Sequence, residues 1–137
     1  MDLQSTKKLV RLINRLQLLC EGFDESNKNA IITSKTKILL EIGKQENVSP
    51  SILKSKVGLS KSNLACLCNE LVAENLITKS KDQLDNRAIC YNLTEKGRDT
   101  LDDVIKKVNK NFENELAYKN NIKQIEAAVD ELFELVK

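Results

Sequence analysis

The sequence predicts a mainly α-helical chain that carries one small β-hairpin. Its 137 residues include a single Pro and four Gly, which leaves few punctuation points for tight turns. Long stretches towards both ends repeat apolar residues at helical spacing. One region sets a strand candidate, "LITKSK", against an alternating run, "RAICYNL", across the polar loop "DQLDN". A chain of this length is one domain, or one domain with an extension, and can bury a core without disulfides or a structural metal.

Residues 5 to 20 read as a first helix. Leu9, Leu12, Ile13, Leu16, Leu19 and Cys20 recur on one stripe, with Lys7, Lys8, Arg11 and Arg15 among them. "EGFDESNKN" breaks the pattern and predicts a loop. A second helix starts after Thr33 as N-cap and runs through "SKTKILLEIGKQ". A third starts at Ser49, with Pro50 at the first helical position, where its missing N–H costs nothing. It stops at Gly58, a left-handed cap. Only Leu59 then precedes Ser60, a new N-cap, so the third and fourth helices must cross steeply, as in a helix-turn-helix. The fourth helix covers roughly Lys61 to Glu74. After the hairpin, Thr94 caps "EKGRDTLDDVIKKVNKNFENEL", with Leu101, Val104, Ile105, Val108, Phe112 and Leu116 on one stripe. A last helix from about Lys119 carries Ile122, Ile125, Val129, Leu132, Phe133 and Val136. The predicted order is α-α-α-α-β-β-α-α.

A helix-turn-helix followed directly by a β-hairpin is a winged helix. In that arrangement the second helix of the pair enters the DNA major groove, and the wing reaches a minor groove or the backbone. On the fourth helix Leu64, Leu67, Cys68, Leu71 and Val72 form an apolar stripe. Ser62, Cys66, Asn69 and Ala73 lie opposite, flanked by Asn63, Ala65 and Glu70. The start of the helix, Ser60, Lys61, Ser62 and Asn63, offers hydroxyls, an amide and a cation where backbone N–H groups and the helix dipole favour phosphate. Asn69 has the chemistry for a bidentate contact with adenine. In the wing, Arg87 suits a narrow minor groove, and Asp85 could orient it. Lys79 and Lys81 could add phosphate contacts or simply solubilise an edge strand. The bland alternative for the helix is a solvated polar face, and for Asp85 and Arg87 a surface ion pair of little worth. The attached wing favours the DNA reading: Ser60, Lys61, Ser62, Asn63, Cys66, Asn69, Lys79, Asp85 and Arg87 are the candidate DNA contacts.

Charge adds a weak hint. From Thr33 to Lys81 there are eight Lys and four Glu, whereas from Asp99 to Lys137 six Lys face nine acids. A basic middle beside an acidic end fits a polyanion partner for the middle. The chain has no His, which removes the commonest general base and metal ligand. No Gly-rich phosphate loop, paired-carboxylate motif or nucleophile–base pair is present, so no enzyme, cofactor or metal site is predicted. No apolar run approaches a membrane span, and the amphipathic N-terminus lacks a cleavage signal. The expected setting is the cytoplasm, with Cys20, Cys66, Cys68 and Cys90 as free thiols. Cys66 and Cys68 cannot share an ion or a disulfide, because residues two apart on a helix point about 200° apart.

The stretch "VSPSILKSKVGLSKSNLACLCNELVAENLITKSKDQLDNRAICYNLTEKG" resembles the MarR family of bacterial winged-helix transcription regulators. That family typically shows Asp-x-Arg, a strand, then Leu-Thr-x-x-Gly, matched here by Asp85, Arg87, Leu93, Thr94 and Gly97. The flanking helices also fit, so the resemblance covers essentially the whole chain. It departs at Cys66, where many members carry Arg or another polar residue, and at Asn75, where many carry Gly. The resemblance implies a homodimer built from the terminal helices, pseudo-palindromic operators and, in many members, release by a small ligand or by thiol oxidation. The expected organisation is one unit: 1–23 and 116–137 as dimerisation helices, 33–98 as the winged helix-turn-helix and 95–116 as a connecting helix. The apolar stripes of the terminal helices support a dimer independently, since exposed they would form an unusually large patch; the alternative is that they pack on their own winged domain. Family analogy places a ligand cleft between the dimerisation helices and the winged part, where Phe112 and Tyr118 are more readily core or interface than pocket lining. Cys20 and Cys66 are the candidate redox thiols, with Cys20 more simply a small buried hydrophobe.

The predicted function is therefore a sequence-specific double-stranded DNA-binding transcriptional regulator, a repressor by preference. It would act as a homodimer on an inverted repeat, with a small-molecule effector as a further partner. The alternative is a winged-helix protein–protein module. That reading predicts apolar residues on the outer face of the fourth helix, where the sequence is polar.

Overall fold

The computed structural model describes residues 1–21, 32–82, 84, 87–116 and 121–137. Its elements are α1 (Leu3–Glu21), α2 (Ser34–Ile42), α3 (Pro50–Val57), α4 (Lys61–Ala73), β1 (Ile77–Lys81), β2 (Ile89–Leu93), α5 (Glu95–Leu116) and α6 (Ile122–Val136). The order is the predicted one, and the fold is a winged helix. The chain divides into two compact units, Ala30–Ile105 and the pair of segments Met1–Asn29 and Lys106–Lys137. No helix among the described residues is long and apolar enough to cross a membrane.

Local chemistry sets the boundaries in the Ala30–Ile105 unit. The Thr33 side chain accepts from the Thr36 N–H, Ser49 from Ile52 and Ser60 from Asn63, so each helix of the triad starts at a hydroxyl cap. Pro50 opens α3, and Gly58 closes it at φ 73°, donating its N–H to the Lys54 carbonyl. After α4, Asn75 takes the left-handed turn at φ 61°, the conformation an Asn in place of Gly can supply. Ile38, Leu39, Ile42, Val48, Leu53, Leu64, Cys68, Leu71, Leu76, Ile77, Tyr91 and Leu101 make one core. The inward stripe of α4 thus buries Leu64, Cys68 and Leu71, while Cys66 is exposed. The two neighbouring thiols point to opposite sides, as helix geometry requires.

Several details differ from the sequence expectation. α2 ends at Ile42, three residues before Gln45. A Cβ on Gly43 would stand 3.0 Å from Leu93 Cδ1, so the chain leaves the helix where it packs against β2. Val48 then pairs with Tyr91 through two backbone hydrogen bonds of 3.0 and 2.9 Å, an extra edge on the β1–β2 hairpin that no periodicity announced. The hairpin is antiparallel, with Ile77 opposite Leu93 and Lys81 opposite Ile89. The Asp82 N–H reaches the Ala88 carbonyl at 2.8 Å, so Arg87 and Ala88 belong to the turn rather than to the predicted strand. α6 is described from Ile122, and the proposed start at Lys119 falls outside the described residues.

The second unit contains α1, the C-terminal part of α5 and α6. Asp2 caps α1, its Oδ1 accepting the Ser5 N–H at 2.7 Å, and this bond lowers the Asp2 pKa. The Asn111 side chain donates to the Leu19 carbonyl at 3.3 Å, tying α5 to the end of α1, and Val108 is buried. Cys20 is half-buried rather than fully enclosed. α6 has no buried residue: Val129, Leu132 and Phe133 are each about half exposed.

Candidate nucleic-acid interface

A concave surface of about 590 Å³ lies between α3, α4 and the hairpin. α4 contributes Lys61, Leu64, Ala65 and Asn69; α3 and its cap contribute Ser49, Pro50, Ser51 and Lys54; the hairpin contributes Lys79, Ala88, Ile89 and Tyr91. Three ammonium groups, an amide and two serine hydroxyls converge there, and none of these lining residues is acidic. Such a surface attracts a phosphate backbone and offers donors and acceptors besides.

Each position follows from the fold. The turn over Gly58 and Leu59 is short, so the first turn of α4 emerges beside α3. The buried stripe Leu64–Cys68–Leu71 anchors α4 with Asn69 and Cys66 outward. On β1, burial of Ile77 and antiparallel pairing place Lys79 opposite Tyr91. Tyr91 is only 4% exposed; burial, and then the neighbouring Cys68, push its hydroxyl up to about 12. Burial likewise raises the Cys68 thiol. Both groups stay neutral and serve as packing beneath the concave face.

Lys61, Asn69 and Lys79 of the predicted set share this concave surface. Ser60, Ser62 and Asn63 stand exposed at the start of α4, where Ser60 Oγ takes the Asn63 N–H and lies 3.4 Å from Ser62 Oγ. The other first-turn N–H groups of a helix remain open to an anion. Cys66 is exposed one turn further on, with its Sγ 3.9 Å from Glu70 Oε1. Arg87 is exposed in the hairpin turn. Asp85 and Tyr118 lie outside the described residues, and Phe112 is half-buried on α5. Sequence reasoning missed Lys54, Ser49 and Ser51. The available signal was the lone buried Leu53 of α3, which turns its neighbours Ser51 and Lys54 outward.

Among the described residues no group of three or more His, Cys, Asp or Glu side chains is placed to hold a metal ion.

Comparison with known proteins follows the same lines. Residues 26–104, more than half of the chain, match the sequence family described as transcriptional regulator SarA/Rot. No curated protein matches the sequence. Among solved structures, transcriptional regulator Tm0710 from Thermotoga maritima is 22% identical, with a TM-score of 0.67 over 96% of this chain and 94% of that one. MarR from E. coli in its apo form is 16% identical, with a TM-score of 0.71 over 96% and 97%. The transcriptional repressor CouR, solved bound to a 23-mer DNA duplex, is 18% identical, with a TM-score of 0.69 over 95% and 90%. At these identities the likeness is one of fold, a MarR-type winged helix.

Proposed function

Because the chain belongs to the SarA/Rot family of transcriptional regulators, we propose that it is a cytoplasmic repressor, a homodimer binding an inverted repeat in double-stranded DNA. α4 reads the major groove and the hairpin turn reaches the adjacent minor groove or backbone. The observation that carries this reading is the lysine-lined concave surface between α3, α4 and the hairpin. Ser60, Lys61, Ser62, Asn63, Cys66, Asn69, Lys79, Asp85 and Arg87 are the proposed contacts, extended by Lys54. The 23-mer duplex on CouR, a protein of the same fold, supports DNA as the partner. The polar outer face of α4 argues against a protein-docking module, which would need apolar anchors there.

The first test is a mobility shift with DNA from upstream of the protein's own gene. The protein should retard it, with affinity falling steeply as salt rises, because each neutralised phosphate releases counterions. Alkylating the exposed Cys66 should abolish the shift, while DNA added first should protect the thiol. The Cys66→Ser protein should keep binding after the same treatment. If that variant also loses binding, another cysteine is responsible and the placement of Cys66 on the reading face fails. The same exposed thiol is the proposed route for oxidant release; a small-ligand effector remains the alternative trigger.

The homodimer draws its support from the second unit. α1 exposes Val10, Leu12, Ile13 and Leu18, and α6 exposes Val129, Leu132, Phe133 and Val136, with no buried residue of its own. An amphipathic helix with its apolar stripe left in water is unstable unless another surface covers it. Sedimentation at micromolar concentration should show a dimer, and Leu132→Glu/Phe133→Glu should shift it to monomer. A wild-type monomer under those conditions would overturn the proposal.

A further inference from the structure

We propose that Lys35 is a positioning residue for DNA binding: it pairs with the Glu70 and Glu74 carboxylates at the far end of the reading ridge of α4, so that their charge is offset where the ridge meets phosphate. This rests on the reading of α4 as the DNA-facing helix.

Lys35 Nζ lies 3.0 Å from Glu70 Oε2 and 2.6 Å from Glu74 Oε1. The contact joins the first turn of α2 to the end of α4. Lys35 is placed there by the Thr33 cap, which starts α2 two residues earlier. Its side chain is 33% exposed, against 49% and 47% for the two carboxylates, so the cation is the more enclosed partner. The Glu74 and then the Glu70 carboxylate raise the Lys35 pKa, as expected for an ammonium bonded to both.

The ridge explains why this matters. Along α4, Ser62, Cys66 and Glu70 recur at every fourth position, each step turning about 40° round the axis, and Glu74 caps the helix end. Ser62 and Cys66 are proposed to face DNA, and Glu70 follows one turn later, with Oε1 3.9 Å from Cys66 Sγ. One turn is about 5.4 Å, shorter than the screening length of about 10 Å at 0.1 M salt, so salt would only partly screen the repulsion between phosphate and an unpaired carboxylate at Glu70. Lys96 Nζ donates to the Glu74 carbonyl at 3.0 Å and brings a second ammonium to the same end of the helix. Two cations and two carboxylates cancel there. Exposed ion pairs of this kind add little to stability. The consequence of breaking this one is therefore expected in DNA affinity rather than in folding.

The test uses the full-length protein and DNA that the wild type retains. Lys35→Met should weaken binding about three- to tenfold at low salt, with the difference shrinking as salt rises, and should barely move the thermal midpoint. Lys35→Arg should bind like the wild type. Lys35→Met/Glu70→Gln/Glu74→Gln should recover to within about twofold of the wild type, because the repelling charge is gone. Wild-type affinity in Lys35→Met would overturn the proposal. So would a triple variant as weak as Lys35→Met, which would mean that Lys35 itself touches phosphate. A wild-type protein that retains no DNA defeats the DNA-binding reading itself, whereas DNA binding indifferent to Lys35 defeats this inference alone.

Discussion

Gly97→Ala should lower the thermal midpoint by roughly 10 °C or more, corresponding to about 3 kcal/mol of lost stability. A Cβ at this position would stand 1.9 Å from the Leu76 carbonyl oxygen and 2.9 Å from its carbon. Neither can retreat cheaply. The Leu76 carbonyl accepts the Thr94 N–H at 3.1 Å, and the Leu76 N–H closes the end of α4 on the Leu71 carbonyl at 3.0 Å. Thr94 Oγ1 takes the Gly97 N–H at 2.9 Å and donates to the Asn75 carbonyl at 2.6 Å. The start of α5 is thus laced to the start of β1 with room for a hydrogen and nothing larger. Gly97 is needed for space. Gly58, by contrast, has nothing within 4 Å of an added Cβ but holds φ 73°, so it is needed for conformation. Gly58→Ala should therefore cost only about 1 kcal/mol, a smaller loss than Gly97→Ala. Equal thermal midpoints for Gly97→Ala and wild type, measured by circular dichroism, would show that α5 and β1 do not meet as described.

Arg87→Ala should weaken DNA binding about tenfold while leaving the thermal midpoint unchanged. Arg87 is exposed in the turn that joins β1 to β2, beyond the last ladder bond between Asp82 and Ala88. A guanidinium at a wing tip gains most in a narrow minor groove, where the potential is more negative. Lys61→Ala and Lys79→Ala act differently in the proposed complex. Each lysine lines the concave surface as a phosphate partner, so each loss should reduce the slope of log affinity against log salt by about one while leaving sequence preference intact. Unchanged affinity in Arg87→Ala would remove the wing from the interface.

How far the fold was legible depends on how local its signals are. The punctuation at Ser49, Pro50, Gly58 and Ser60 acts within a few residues, and the structure forms caps at each of the three cap positions. The α4 stripe is periodic, so which of Cys66 and Cys68 would be buried could be read from spacing alone. The Val48–Tyr91 pairing could not, because two backbone hydrogen bonds between distant segments leave no pattern in "QENVSP". The early end of α2 is likewise tertiary: Gly43 meets Leu93 and Leu101, which the sequence places far away. The candidate interface was legible where one helix carries it, in Lys61 and Asn69. It was not legible where α3 joins, because Lys54 and Ser51 reach the surface only through packing against α4 and the hairpin. The Lys35 contact with Glu70 and Glu74 was hidden for the same reason.

Selection of bound duplexes from a random pool tests the DNA-reading dimer most directly. The wild-type protein should enrich an inverted repeat whose half-sites are centred about 10 base pairs apart, one helical turn for two recognition helices related by a two-fold axis. Retained duplexes with no enriched sequence, or with a single unpaired half-site, would contradict the proposal.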